Sequence, residues 1–575
     1  VSGSRCRAKP VPLADLEVLV FDCQATAAFP RGQLLEVGWV RSRAAVGDEL
    51  RVESHLVAPS GTVRLPRRVR ELTGLTTGQL RAAAPARRVG ERLASVIAET
   101  WPSGASGPRV AVAHFARFEE PFLRVLLSRG GGLPFELLCT HELARRLLPT
   151  LPRRGLRAVA GYLGHAVPEP RRARHHVEAT VFIWRGLLSF LEQGHAVRSI
   201  EDLRGWLAAT EPRRPGRVYP METRIRRELP DGPGLYRFER TDGSVLYVGK
   251  ATSLRQRVNA YFQTSRGHKE RTLEMLAQAR AVHVTPTETA LEAAVREPDE
   301  IKRLHPPYNV ALREEDRRLA FWSWTLRHVS LRRDPRHPVG PVLLQAPRPP
   351  LAALLALLDG GADRRMSGGI AARVLGVPER YAPAPACFRA GLELFVARHG
   401  RWWGSGPPTR SVQRLAARLR RTRIGLAETP LAAAEERPVR AEGWSPERVA
   451  GALEDIVSRG AQVIRRARWL CALSECSLSW RSQDAGGAMR GLVLSRGEVV
   501  ARREGEEAQP PPVPPGHALP LEERQRTLDL AAYDRLSALS RELKALVAGA
   551  GPVFLRLGTT TILDRDTLAR ALRCL

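Results

Sequence analysis

The chain has 575 residues, 43% of them hydrophobic and 26% charged, enough for three or four domains with buried cores. A formal charge of +30 and a pI near 11.1 point to a polyanionic partner, although 85 of the 90 cationic residues are arginine and coding bias accounts for part of the excess. Seven scattered cysteines without a CxxC pair, no apolar run of 18 residues and no N-terminal apolar leader exclude a disulfide scaffold and lead us to expect a cytoplasmic protein that is neither secreted nor membrane-spanning.

Residues 1–15 read as a basic lead-in. Leu16–Asp22 is an apolar strand run that ends on an acid, and 34–41 and 51–58 continue as strands. Helical patterns at 89–100, 119–128, 140–148 and 177–191, with a strand at 110–114, predict an α/β domain over 1–195. The segments VFDCQAT, LLEVGWV, VAHFARFEEPFL and HHVEATVF resemble the DnaQ-like (DEDD, RNase H-like) 3′–5′ exonucleases. That likeness implies four carboxylates around two Mg²⁺ ions with a histidine as general base. The positions in this chain are Asp22, Gln24, Glu119 and Glu178, with Phe115 after His114 and Ala173 where the histidine belongs. Gln24 brings no negative charge, and each glutamate reaches one methylene further than aspartate. His175 and His176 lie two and three residues on, and a two-residue shift turns a helix by about 200°. The expectation is a domain that keeps its fold and has lost its chemistry.

A linker is expected at 196–220, where EPRRPGRVYP is rich in Pro and Arg. Next come strand patterns at 234–239 and 244–249 around Thr241-Asp242-Gly243, and Asp-Gly between such runs signals a hairpin. In that register Phe238 faces Tyr247 and Tyr236 faces Gly249, so both tyrosines share a face. Thr252 or Ser253 caps a following helix whose apolar stripe is Leu254, Val258 and Tyr261, and Lys250, Arg255 and Arg257 lie nearby. Downstream, Thr285-Pro286 with Glu288 reads as a capping box that opens a helix through Glu297, and Pro298 is expected to kink it. Pro306-Pro307-Tyr308-Asn309 closes the segment.

GPGLYRF followed by LYVGKATSLRQRVNAYF resembles the GIY-YIG nucleases, UvrC and its single-incision relative Cho above all. The resemblance covers 221–318 and implies phosphodiester hydrolysis at one Mg²⁺ (or Mn²⁺) ion held by Glu297. In that scheme Tyr247 orients or deprotonates water with help from Tyr236, Lys250 and Arg257 offset charge, and Asn309 sits near the phosphate. It also implies DNA as substrate, incision in nucleotide excision repair, a UvrB-like helicase partner and a nucleoid-associated place in a bacterial cytoplasm.

Beyond this module, 319–435 reads as mostly helical, and Arg401-Trp402-Trp403 pairs a cation with stacking surface that suits unpaired bases. The region 436–575 reads as α+β without nameable chemistry, including one long helix at 521–547. The architecture expected is therefore multidomain α/β and α+β: an RNase H-like exonuclease fold, a small GIY-YIG α/β domain, a helical middle and an α+β end. Metal-dependent endonuclease is the leading reading. The alternatives are a 3′–5′ exonuclease related to polymerase III epsilon and a non-catalytic DNA-binding scaffold.

Overall fold

A computed structural model describes residues 11–44, 50–61, 65–103, 107–127, 132–168, 171–211, 216–263, 267–309, 317–344, 348–359, 368–402, 407–423, 443–481, 488–505, 509–513, 520–549 and 551–575. The chain folds as two compact units. One takes residues up to Pro286 and the stretch from Pro306, and the other takes Thr287–His305 and the described residues after 316.

The first unit opens with a six-stranded sheet of β1 (Val18–Ala25), β2 (Leu34–Ser42), β3 (Glu53–Ala58), β4 (Ala84–Pro85), β5 (Val110–Ala113) and β6 (Glu136–Cys139), in the order β4-β3-β2-β1-β5-β6. β1 is antiparallel to β2 and parallel to β5. Its apolar run is continuous because both faces are covered: Val18 and Val20 join one core with Trp184, and Leu19 and Phe21 join another with Phe122 and Phe135. The helix Ala173–His195 crosses the first face and brings its N-terminal turn to the end of β1. The stretch 196–220, expected as a linker, instead holds the helix Ile200–Ala209. Its Ile200 and Leu203 enter the N-terminal core, because Ser199 and Asp202 form a capping box that starts it.

The same unit ends in a three-stranded antiparallel sheet with β7 (Gly234–Glu239) between β8 (Val245–Ala251) and β9 (Ala281–Pro286). Tyr236 pairs with Gly249 and Phe238 with Tyr247, the register that Asp242-Gly243 implies. Ser253 caps the helix Leu254–Ala260 by accepting from the Gln256 N–H at 3.2 Å. Thr285 and Pro286 are not a helix start: they pair with Leu235 and Gly234, and the cap is Thr289, which accepts from Glu292 N–H at 3.2 Å. The two sheets belong to one body. Arg280 donates to Tyr162 O at 3.1 Å, Arg153 pairs with Glu270 at 3.1 Å, and a Cβ on Gly161 would strike the Gln278 amide.

In the second unit, β10 (Leu319–Trp322) lies between β11 (Val329–Ser330) and β12 (Val339–Leu343). Helices including Pro385–His399 and Pro408–Arg423 surround the 28-residue helix Pro446–Leu473. A five-stranded antiparallel sheet follows, built of β13 (Glu475–Arg481), β14 (Met489–Ser495), β15 (Glu498–Gly505), β16 (Val553–Leu557) and β17 (Thr561–Leu563). The long helix expected at 521–547 is two, Leu521–Thr527 and Leu530–Ala548. Asp529 restarts the second by accepting from Ala532 N–H at 2.7 Å. Helix Ala290–Leu304 also belongs to this unit: Leu291 and Val295 sit in a core with Trp469, Leu478, Leu536 and Leu539. It runs unbroken through Pro298. Among the described residues no helix is long and apolar enough to cross a membrane.

Candidate active site

The hairpin β7–β8 and the helix Leu254–Ala260 gather three phenols. Tyr236 and Tyr247 have ring centroids 6.1 Å apart, and Tyr261 lies 6.1 Å from the first and 6.3 Å from the second. The Tyr236 and Tyr261 hydroxyls share a hydrogen bond of 3.0 Å. Tyr261 was legible only as part of an apolar stripe, seven residues after Leu254 on the same helix face. Tyr236 is 0% exposed and belongs to the core with Phe238, whereas Tyr247 stays half-buried. Of the two phenols expected on one surface, the fold leaves Tyr247 the more accessible.

Burial, reinforced by Tyr261 and Tyr247 and opposed by Arg257, pushes the Tyr236 phenol well above its usual range. The Arg257 guanidinium lies 5.3 Å from the centre of the Tyr261 ring, and its charge opposes the upward shift of Tyr236. Arg257 is exposed; partial desolvation lowers its pKa, but the neighbouring phenols outweigh that loss and raise it. Lys250 is half-buried on β8, opposite Leu235. Arg255 is committed elsewhere, donating to Leu229 O at 2.7 Å and pairing with Asp231 at 3.1 Å.

Two glycines make this gathering possible. A Cβ on Gly249 would lie 2.5 Å from both Cζ and the oxygen of Tyr236, and one on Gly234 would lie 2.6 Å from Thr285 O. Asn309, 7% exposed, spends its amide on one partner: Oδ1 accepts from Val248 N–H and Nδ2 donates to Val248 O, each at 2.9 Å. It thereby holds the residue between Tyr247 and Gly249. Glu297 is half-buried on helix Ala290–Leu304, whose neighbours fasten it to the second unit. Asp299 pairs with Arg535 at 3.1 Å, and Lys302 pairs with Asp534 at 2.8 Å.

At the end of β1, Asp22 meets Gln24 and His176. Gln24 Nε2 donates to Asp22 at 2.6 Å and lies 3.1 Å from His176 Nδ1, which is 3.2 Å from Asp22 Oδ1. The helix turn that was expected to bring Glu178 brings His176 instead, and Glu178 pairs with Arg174 at 3.0 Å. Ala173 faces β2, fully buried, its N–H donating to Glu36 at 3.2 Å. Glu119 accepts from Cys23 N–H at 2.7 Å, and burial followed by the charge of Asp22 raises its pKa well above the carboxylate range. Phe115 adopts φ 68°, is 42% exposed and stacks on His141 at 4.1 Å. Arg401 is exposed, and the side chains of Trp402 and Trp403 lie outside the described residues.

Among known families, the UvrC-like GIY-YIG domain matches residues 232–310. A Mycobacterium tuberculosis protein named "Putative bifunctional exonuclease/endonuclease protein" is 31% identical over 366 residues, 60% of this chain and 52% of its own length. The UvrABC system protein C of Chelativorans sp. (strain BNC1) is 40% identical over 124 residues, 21% of this chain and 18% of its own. The chain thus spans about half the length of the first of these curated relatives and less than a fifth of the second. The solved N-terminal GIY-YIG endonuclease domain of UvrC from Thermotoga maritima is 28% identical and covers 16% of this chain and 100% of its own, with a TM-score of 0.14. Residues 232–310 thus match the UvrC-like GIY-YIG domain, and the relative aligned over 366 residues of this chain is named for both an exonuclease and an endonuclease.

Proposed function

We propose that this chain is a metal-dependent DNA endonuclease that makes single internal nicks in a repair incision. The observation that carries the reading is the gathering of Tyr236, Tyr247, Tyr261 and Arg257 inside the matched segment. Tyr247, half-buried where Tyr236 is fully buried, orients the attacking water. Tyr236, kept protonated by burial, shares a hydrogen bond with Tyr261 and fixes it in place. Arg257 and Lys250 offset the charge that develops on the phosphate.

The Thermotoga maritima domain is described as bound to magnesium as its catalytic divalent cation. Glu297 suits such an ion: it is a hard oxygen donor, half-buried, within the same matched segment. Mg²⁺ commonly takes only one or two carboxylates and keeps its waters. When bound, the cation supplies Lewis-acid polarisation of a phosphate oxygen and of the leaving group. Likeness to UvrC supports DNA as substrate, a UvrB-like helicase as partner and a bacterial, nucleoid-associated setting.

The test is incision of lesion-bearing supercoiled plasmid with Mg²⁺, with and without a UvrB-like helicase. The wild type nicks, while Glu297→Ala and Tyr247→Phe each lose at least a hundredfold. Equal nicking by wild type and Glu297→Ala discards the assignment.

A further inference from the structure

A cleft of about 630 Å³ opens in the second unit beside β10, well within the range of small-ligand sites. Five arginines line it: Arg317, Arg318, Arg332, Arg333 and Arg526. The lining is also apolar, with buried Phe321 and exposed Leu331 among its side chains.

The charge in this cleft is not balanced. Arg317 is satisfied by Asp534 at 2.6 Å, but that carboxylate also holds Lys302 at 2.8 Å, so one acid serves two cations. Arg333 donates to Gln525 Oε1 at 2.7 Å and reaches exposed Glu522 at 3.5 Å. Asp529, the acid in the lining, caps a helix and pairs with Arg496 at 3.2 Å. Arg318, Arg332 and Arg526 are exposed and have no ion pair among the described residues. Three like charges around a concave surface repel one another, and an anion in the cleft relieves that repulsion.

We propose that this cleft is a nucleotide subsite for single-stranded DNA. Arg318, Arg332 and Arg526 take consecutive backbone phosphates, and a base lies against the apolar lining. Guanidinium forks match phosphate oxygens bidentately, and a base face gains by leaving water for an apolar surface. A nucleotide carries both features in one unit, whereas an acidic peptide offers carboxylates without the flat apolar face. The subsite goes beyond the incision chemistry and stands whether or not the chain nicks DNA.

Fluorescence anisotropy of a short labelled oligothymidine with the full chain, in EDTA across a salt series, tests this. The triple variant Arg318→Gln, Arg332→Gln, Arg526→Gln should bind at least tenfold more weakly and flatten the log affinity against log salt slope by about 2, from about 0.7 per phosphate contact. The matching triple lysine variant keeps the slope. These side chains are exposed, and unchanged circular dichroism confirms that the variants fold. Wild-type affinity and slope in the glutamine variant overturn the proposal. So does displacement of the oligonucleotide by oligoglutamate as readily as by unlabelled oligothymidine, which marks a peptide-docking site.

Discussion

Gly249 lies directly under the phenol of Tyr236: a Cβ there would stand 2.5 Å from the ring carbon that bears the hydroxyl. The ladder pairs the two residues, so the tyrosine ring folds across its partner strand and reaches Tyr261. Gly249→Ala must push the ring out. Overpacking of this kind costs about 1–3 kcal/mol, and breaking the Tyr236–Tyr261 bond should lower nicking at least tenfold. Urea unfolding and plasmid nicking measure the two effects.

Asn309 replaces a strand neighbour for Val248. In Asn309→Ala both polar groups of a buried backbone residue lose their partner, at about 1–3 kcal/mol for each buried group left unsatisfied. Hydrogen exchange should show the Val248 amide deprotected, and nicking should fall with the disordering of Tyr247. Full protection at Val248 contradicts the role assigned.

Asp534 is 2% exposed and sits between Lys302 and Arg317. Removing it strands two cations, one of them on the helix that carries Glu297. Asp534→Ala should therefore cost about 3–5 kcal/mol, read from the urea midpoint. A change of less than 1 kcal/mol, about the worth of a surface pair, contradicts that placement.

His114 is buried, with Nδ1 2.9 Å from Thr140 Oγ1 and Nε2 3.2 Å from Arg154 O. Desolvation, with the charge of His141 next, lowers its pKa to about 3. A depressed folded-state value means that its contribution to stability is complete above the unfolded value near 6.5 and is lost as pH falls towards 3. Below pH 6.5 the loss should approach about 1.4 kcal/mol per pH unit. His141, lowered to about 4 chiefly by burial, adds to it with the same sign. Unfolding at pH 7 and pH 5 should show the dependence in the wild type and a flatter one in His114→Gln.

The exonuclease-like site should not trim DNA. Gln24 brings no charge beside Asp22, and Glu178 is paired with Arg174, so the site lacks the negative charge that a pair of Mg²⁺ ions requires. A 5′-labelled oligonucleotide incubated with Mg²⁺ and the Glu297→Ala chain should keep its 3′ end. A ladder of shortened products sinks this prediction.

The amino-acid pattern alone determined the hairpin register, the apolar run of β1 and the nuclease likeness. Each rests on local chemistry: a two-residue turn sets which side chains face each other, and a strand covered on both faces shows no polar alternation. Only the tertiary structure decided that His176 rather than Glu178 meets Asp22, since the rotation of a helix about its axis is set by what it packs against. The same holds for Tyr236 and Asn309, whose polar groups turn inward to Tyr261 and Val248. Helix Ala290–Leu304 folds with the second unit because Leu291 and Val295 find their apolar partners more than 170 residues further along the chain. Sequence spacing reports what lies on one turn or one ladder, and burial between distant segments chooses which of those faces meet.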